Sequence, residues 1–376
     1  MSQVIQLKKC LMILLCFLLL GCTPDTQPET PENQLRKVTF TSFEAGFDTV
    51  FYLTLYSTDN DETLLSIFNE CVSIAYGYHQ LFDIYNNYNG INNIKTINDN
   101  AGIEPVKVNA DVIEMLKTAK EMNQMSNGEF DVTYGSVLKV WHNYRDAAEA
   151  AGKGPVPNDE ELKSAAEYVG WNHVIINEQD NTVYIDEKGV SLDVGGIAKG
   201  FTTEKLADYL ASKGIETAII NFGGNNRVIG NKPDGTAWGL GIEQPGTQSA
   251  MVAVSLNAPI SAVTSGDYHR YYVSEDGNTY HHIIDPSTLY PSEYFHSVTI
   301  YTKDSGYADA LSTSLFTMSV EDGMKLIEQF NQTYPNTPAS VVWIMDEDKA
   351  FDTSCSFKTS GYFVVYTEDL KGKIRH

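Results

Sequence analysis

Apolar positions recur along this chain with two periods, and the changes from one to the other mark out the predicted elements. From Val38 to Tyr56 the pattern alternates and is rich in Thr, Phe and Tyr, which predicts two strands broken at Ala45-Gly46. The period then lengthens. Leu64, Leu65, Phe68, Val72 and Ala75 share one face of a helix from Asp61 to about Phe82. Further helices are predicted over Asn109 to Met125, with Asn109 or Asp111 as cap, over Asn158 to Tyr168 and over Thr202 to Lys213. Short strands fall near Val174–Asn177, Thr182–Ile185, Trp238–Ile242 and Met251–Leu256, and Ala218 to Gly230 reads as strand, glycine turn and strand. Three stretches escape both periods. Asp83 to Asn98 is crowded with Asn and Tyr and reads as a solvated loop with Tyr85 available for stacking. Residues 146–160 read as a surface linker. Ser126 to Trp141 reads as a turn that leads into a short apolar segment, with Asp131 as its cap. Strand and helix do not alternate regularly enough for a doubly wound fold, so the predicted class is α+β, with mixed, largely antiparallel sheets and packed helices.

The N-terminus follows another logic. Lys8 and Lys9 precede an apolar run from Leu11 to Leu20, which stops at Gly21-Cys22. The run is too short for a stable membrane span and suits a lipoprotein signal peptide over residues 1–21, cleaved so that a lipid is carried on Cys22. Residues 22–36 hold little to bury and read as a flexible tether, and residues 37–376 read as one large domain. The expectation is an extracytoplasmic protein, lipid-anchored to the membrane. Composition narrows the partners. With 26 basic and 49 acidic residues the formal charge is −23, which repels nucleic acid and offers no basic patch to anionic lipid. An anionic substrate then needs a divalent cation or a local lysine to reverse the field. Outside the N-terminal region the cysteines are Cys71 and Cys355, two buried thiols or a pair.

Four clusters carry candidate chemistry. Ser191-Leu-Asp-Val-Gly-Gly-Ile-Ala-Lys-Gly-Phe201 joins an apolar run to a helix whose N-terminus favours an anion, with Asp193 and Lys199 as charged side chains. Thr264-Ser-Gly-Asp-Tyr268 reads as a hydroxyl-rich turn, and His281-His-Ile-Ile-Asp-Pro286 brings two imidazoles and a carboxylate. Ala308-Asp-Ala-Leu-Ser-Thr313 starts a helix with Asp309 and Thr313 four apart, on one face. These hard oxygens suit Mg²⁺; equally, Asp309 serves the helix dipole and Thr313 bonds its own backbone. One histidine suits a general base, and a core histidine is the ordinary alternative.

In this order, with Asn221-Phe-Gly-Gly224, Gly230, Gly128-Glu-Phe-Asp131, Trp141 and Phe47-Asp-Thr49, the clusters resemble the ApbE family of FAD:protein FMN transferases, from about Phe40 to Phe330. The resemblance implies a T-fold-related domain. It also implies an enzyme that cleaves FAD, attaches FMN through a phosphoester to a Ser or Thr of an acceptor protein, and releases AMP. Membrane redox subunits are among the candidate acceptors, and family members are often lipoproteins outside the cytoplasm. By the same resemblance Asp309, Thr313 and the Gly196 carbonyl match Mg²⁺ ligands. Asp193, Lys199, Ile284, Glu129, Phe130, Asp131, Phe47 and Tyr85 match FAD-contacting positions, and His282 matches the base for the acceptor hydroxyl. Three departures stand out: Leu289 where a glycine is usual, Asn225 where an Asp is usual, and Glu129 where a small residue is common. Two rival readings are an FAD pyrophosphatase with water as nucleophile and a non-catalytic flavin-binding lipoprotein.

Overall fold

The computed structural model describes residues 35–376; the signal-peptide reading, Cys22 and almost all of the tether lie outside the described residues. Strands β1 (Arg36–Ser42) and β2 (Phe51–Ser57) form a hairpin, and β2 buries Phe51, Leu53 and Leu55 on one face as its alternation requires. Helix α1 (Asp61–Phe82) starts where the Asn60 side chain accepts the Thr63 N–H. Its buried face is Leu64, Ile67, Phe68, Cys71 and Ala75, whereas Leu65, placed on that face by the sequence reading, is exposed.

The Asn- and Tyr-rich stretch is not a solvated loop throughout. Asn93 is fully buried, donates its amide to the Gln80 and Asn86 carbonyls, and closes a capping box that starts α2 (Ile94–Asp99). After β3 (Val106–Lys107), helix α3 (Ala110–Met125) starts at Asn109. Helix α4 (Gly135–Ala151) is much longer than the short apolar segment expected. Its alanines carry it into the supposed linker as far as Ala151, and it stops at Gly152 with φ of 83°. Asp131 does not cap it; the N-cap is Tyr134 and makes no side-chain cap bond. Helix α5 (Asp159–Ala166) follows, capped by Asn158, and β4 (Val174–Asn177) and β5 (Thr182–Ile185) join β3 in a small sheet.

Beyond helix α6 (Ala198–Ser212) come β6 (Thr217–Phe222), β7 (Asn225–Ile229), β8 (Trp238–Glu243), β9 (Ala250–Leu256) and β10 (Ile260–Gly266). The expected turn at Thr264 is thus the end of a strand, where the Thr264 hydroxyl pairs with that of Thr299 across the sheet at 2.9 Å. A short hairpin, β11 (Tyr271–Val273) and β12 (Thr279–His281), precedes β13 (Ser297–Thr302), α7 (Ser305–Phe316), α8 (Val320–Thr333), β14 (Ser340–Asp346), β15 (Ser356–Thr359), β16 (Tyr362–Tyr366) and β17 (Ile374–Arg375).

Nine strands form one sheet in the order β1-β2-β6-β7-β10-β13-β14-β16-β15, and every pairing in it is antiparallel. The interior strand β13 is buried at every position because both sheet faces are covered. On one face Val263, Val298, Ile300 and Trp343 join Leu311, Leu315 and Phe316 of α7 in the core; on the other Ala262, Tyr301 and Ile344 meet Trp238, Leu240 and Val254 of the β17-β9-β8 sheet. The predicted α+β class is therefore the one observed. Cys71 and Cys355 are buried and unpaired with each other, and burial pushes the Cys71 thiol up to about 12, where it is inert.

One titratable contact ties the ends of three neighbouring strands, β10, β13 and β14, together. His296 lies between Asp267 and Asp346, with its ring nitrogens 2.8 and 2.9 Å from their carboxylates, and these contacts, Asp267 first, raise its pKa to about 8. A group whose pKa is raised on folding stabilises fully below its unfolded value near 6.5 and loses that contribution as pH rises through about 8. Chemical denaturation is expected to show stability falling by at most about 2 kcal/mol between pH 6 and 9, and His296→Ala is expected to flatten that slope. An unchanged slope in the variant would remove His296 from this role.

Candidate active site

The glycine turn and helix α7 meet almost without side chains between them. A Cβ on Gly200 would sit 2.6 Å from the Asp309 Cβ and collide with the Ser305 carbonyl, so only glycine permits the approach. This glycine therefore serves helix packing rather than a ligand. Its N–H donates to Asp309 Oδ2 at 2.8 Å. Helix α6 has no side-chain cap at Ile197, so the anion favoured by its N-terminus is in part the Asp309 carboxylate itself. Asp309 is only 4% exposed, and Lys199 Nζ stands 4.0 Å from its Oδ1.

Asp309 does not serve as the helix cap. Asp304 does, accepting the Tyr307 N–H, and Asp309 lies one turn further in. Thr313 does bond its own helix, donating to the Asp309 carbonyl at 3.3 Å. A Cβ placed on Gly196 would lie 3.1 Å from both Thr313 Oγ1 and Phe130 Cε2, so the turn passes directly over Thr313. The structure thus gathers one carboxylate, one hydroxyl and the backbone of Gly196. Among the described residues no group of three or more His, Cys, Asp or Glu side chains could hold a metal ion. The donor set at Asp309 escapes that description because it has a single carboxylate, and its hard oxygens and incompletely neutralised charge fit a small hard cation that keeps several waters.

The placement of α7 depends on a partly buried ion pair. Glu204 of α6 accepts from Arg227 Nε and Nη2 at 3.1 and 2.9 Å and from the Ser305 N–H at 3.0 Å, which fixes the helix start upstream of Asp309.

The two adjacent histidines differ in environment. His281 has Nε2 2.8 Å from the Ser292 carbonyl and accepts the Ile283 N–H at Nδ1, which leaves it structural. His282 is exposed, and its Nδ1 lies 3.2 Å from the Arg270 carbonyl. A carbonyl only accepts, so Nδ1 carries the proton and Nε2 keeps a lone pair. Surrounding protein first, then Arg270, His281 and Lys199, hold the His282 pKa below the ordinary imidazole value. Solvent at its open side screens these effects, and the ring is neutral at pH 7 with or without that screening. Asp285 joins neither histidine. Its carboxylate accepts the Ser287 N–H and hydroxyl at 2.7 and 2.6 Å, closing the turn in which Leu289 takes φ of 68°. The glycine usual there would adopt this conformation freely; here the Trp141 indole N–H, donating to the Leu289 carbonyl at 2.9 Å, helps hold it.

Phe47 and Asp48 also have positive φ, 59° and 50°. The Phe47 N–H donates to His79, and its carbonyl accepts from Arg270 at 3.4 Å, which draws the β1–β2 turn toward His282. Tyr85 is 55% exposed, with its hydroxyl 3.1 Å from His142 Nδ1. Asp193 accepts the Gly195 N–H at 2.9 Å and faces His142 Nε2 at 3.9 Å.

Three expected contacts are internal. The Phe130 ring is buried beneath Gly196, Ile284 is buried in the cluster around Trp141, and Asp131 accepts the Thr133 N–H and hydroxyl at 2.8 and 2.7 Å. Burial, its largest influence, raises the Asp131 pKa. Burial likewise raises that of Glu129, which accepts the Thr317 hydroxyl at 2.9 Å and so spends its carboxylate at the end of α7. Asn225 is buried with its Oδ1 unpartnered. His142, Arg270, Glu204 and Arg227 were missed by the sequence reading, because their partners lie far away in the chain and no local spacing marks them.

A family model described as the ApbE family matches residues 47–335. A Vibrio cholerae protein named FAD:protein FMN transferase is 33% identical over 286 residues, covering 73% of this chain and 80% of that one. A Klebsiella pneumoniae protein of the same name is 30% identical over 279 residues, covering 71% and 82%. Among solved structures, an ApbE protein from Thermotoga maritima superposes with a TM-score of 0.74 at 27% identity, covering 91% of this chain and all of that one. The flavin transferase ApbE from Vibrio cholerae gives 0.67 at 26% identity, covering 90% of this chain. With its fold, its ordered motifs and these matches, the chain belongs to the ApbE family.

Proposed function

We propose that this chain is a Mg²⁺-dependent FAD:protein FMN transferase, which moves FMN from FAD to a Ser or Thr hydroxyl of an acceptor protein and releases AMP. The names of its relatives support the reaction. The observation that carries the assignment to residues is the buried Asp309 carboxylate beside Lys199, with the Gly196 turn passing directly over Thr313.

Asp309, Thr313 and the Gly196 carbonyl would hold Mg²⁺, which supplies charge neutralisation at the pyrophosphate when bound. Lys199 contributes a second positive charge inside an otherwise acidic protein. His282 Nε2 accepts the proton of the acceptor hydroxyl as its oxygen forms a bond to the FMN phosphorus. The bond from that phosphorus to the bridging oxygen breaks, and AMP leaves with the oxygen and its electron pair. Phe130 supports the turn from beneath, Asp193 and Tyr85 face the dinucleotide, and the strained Phe47 turn lies beside the base.

Because water can also reach His282, the same centre could hydrolyse FAD. Incubation with FAD and Mg²⁺ alone separates the reactions: transferase function predicts little AMP without acceptor, and rapid release of FMN and AMP would show a pyrophosphatase. We further propose that Cys22 carries a lipid that anchors the protein outside the cytoplasm. Incorporation of labelled palmitate is expected in the wild type and absent in Cys22→Ala; equal labelling of both would refute the anchor.

A further inference from the structure

Tyr85, His142 and Asp193 come from three separate parts of the chain: the segment after α1, helix α4 and the glycine turn. His142 is 18% exposed at its side chain, and its two nitrogens face the other two residues, 3.1 Å from the Tyr85 hydroxyl and 3.9 Å from Asp193 Oδ2. Burial, its largest influence, lowers the His142 pKa, so one nitrogen carries the proton at pH 7. The Asp193 carboxylate, 3.9 Å from Nε2 and beyond hydrogen-bond distance, favours the proton on that nitrogen electrostatically and leaves Nδ1 to accept from the Tyr85 hydroxyl. One hydrogen bond, from tyrosine to histidine, and one longer electrostatic contact, between histidine and the carboxylate, then link the three residues. Arg145, on the next turn of α4, borders the same hydroxyl.

We propose that His142 is a positioning residue for the dinucleotide, resting on the function proposed above. It fixes the otherwise exposed Tyr85 ring in place for stacking and keeps the Asp193 carboxylate, already bonded to the Gly195 N–H, oriented on the turn that carries Gly196 and Lys199. Without it, ordering of the Tyr85 side chain falls on the binding step. The effect is on ground-state affinity, because none of the three residues faces the acceptor hydroxyl in the proposed mechanism.

The test uses the full chain and FAD as the probe, with the dissociation constant read from flavin fluorescence in the absence of acceptor. His142→Ala is expected to weaken FAD binding and raise KM for FAD about tenfold, with kcat changed less than twofold. His142→Gln, which retains an N–H for Asp193, is expected to recover most of the loss. Tyr85→Phe combined with His142→Ala is expected to be no worse than His142→Ala alone, the signature of a shared interaction. Wild-type affinity in His142→Ala, additive losses in the double variant, or a lower melting temperature with KM unchanged would each overturn the proposal. If the wild-type protein itself fails to bind FAD, the functional reading fails instead.

Discussion

Asp309→Asn is expected to lower FMN transfer by on the order of 10³-fold while the protein stays folded. The amide keeps the shape of the carboxylate, and its oxygen can still accept the Gly200 N–H that joins α6 to α7. The charge is what disappears. Asp309 is the single carboxylate of the proposed cation site and the partner of Lys199 at 4.0 Å, so its loss weakens metal binding and leaves the lysine without its counter-charge. Initial rates across a Mg²⁺ titration check this, with an unfolding curve as control. A folded variant with Mg²⁺-dependent transfer within tenfold of wild type would assign the metal to other residues.

His282→Ala is expected to cost roughly 10²- to 10⁴-fold in kcat while FAD binding changes little. Its ring is exposed and its Nδ1 faces only the Arg270 carbonyl, so truncation should not disturb the core. The lowered pKa sets the pH dependence. The base works in its neutral form, which persists to a pH below the usual imidazole range, so the acid limb of kcat/KM should lie below pH 6.5. It should vanish in the variant. An acid limb above 7 in the wild type would contradict the environment described for His282.

Much of this site was legible because its signals are local. The expected cap Asn109 starts α3, and the spacing of Asp309 and Thr313 puts both on one face of α7. What was hidden depends on distant partners. The pairing of β2 with β6, which sets the centre of one half of the sheet, joins Phe51 to Phe222 with no local trace. Asn93 looked like loop polarity because the carbonyls that satisfy it come from α1 and the segment after it. The hydroxyls at 264 and 265 suggested a turn, yet their partners are Thr299 and Ser312, which let a polar strand end lie inside the fold. Nothing local in the glycine turn shows that Gly200 clears space for α7, because the Ser305 carbonyl and the Asp309 side chain that it admits lie more than 100 residues later. Helix α4 outran its expected length because its alanines favour helix where composition suggested a linker.

The central claim is that this centre transfers FMN rather than hydrolysing or merely holding FAD. The most direct measurement mixes the protein with FAD, Mg²⁺ and an acceptor protein that presents a Ser or Thr for flavinylation, and reads in-gel flavin fluorescence and AMP together. A fluorescent acceptor band with equimolar AMP, both abolished by EDTA, is the predicted result. AMP and free FMN without a labelled band, or bound FAD with no AMP at all, would contradict it.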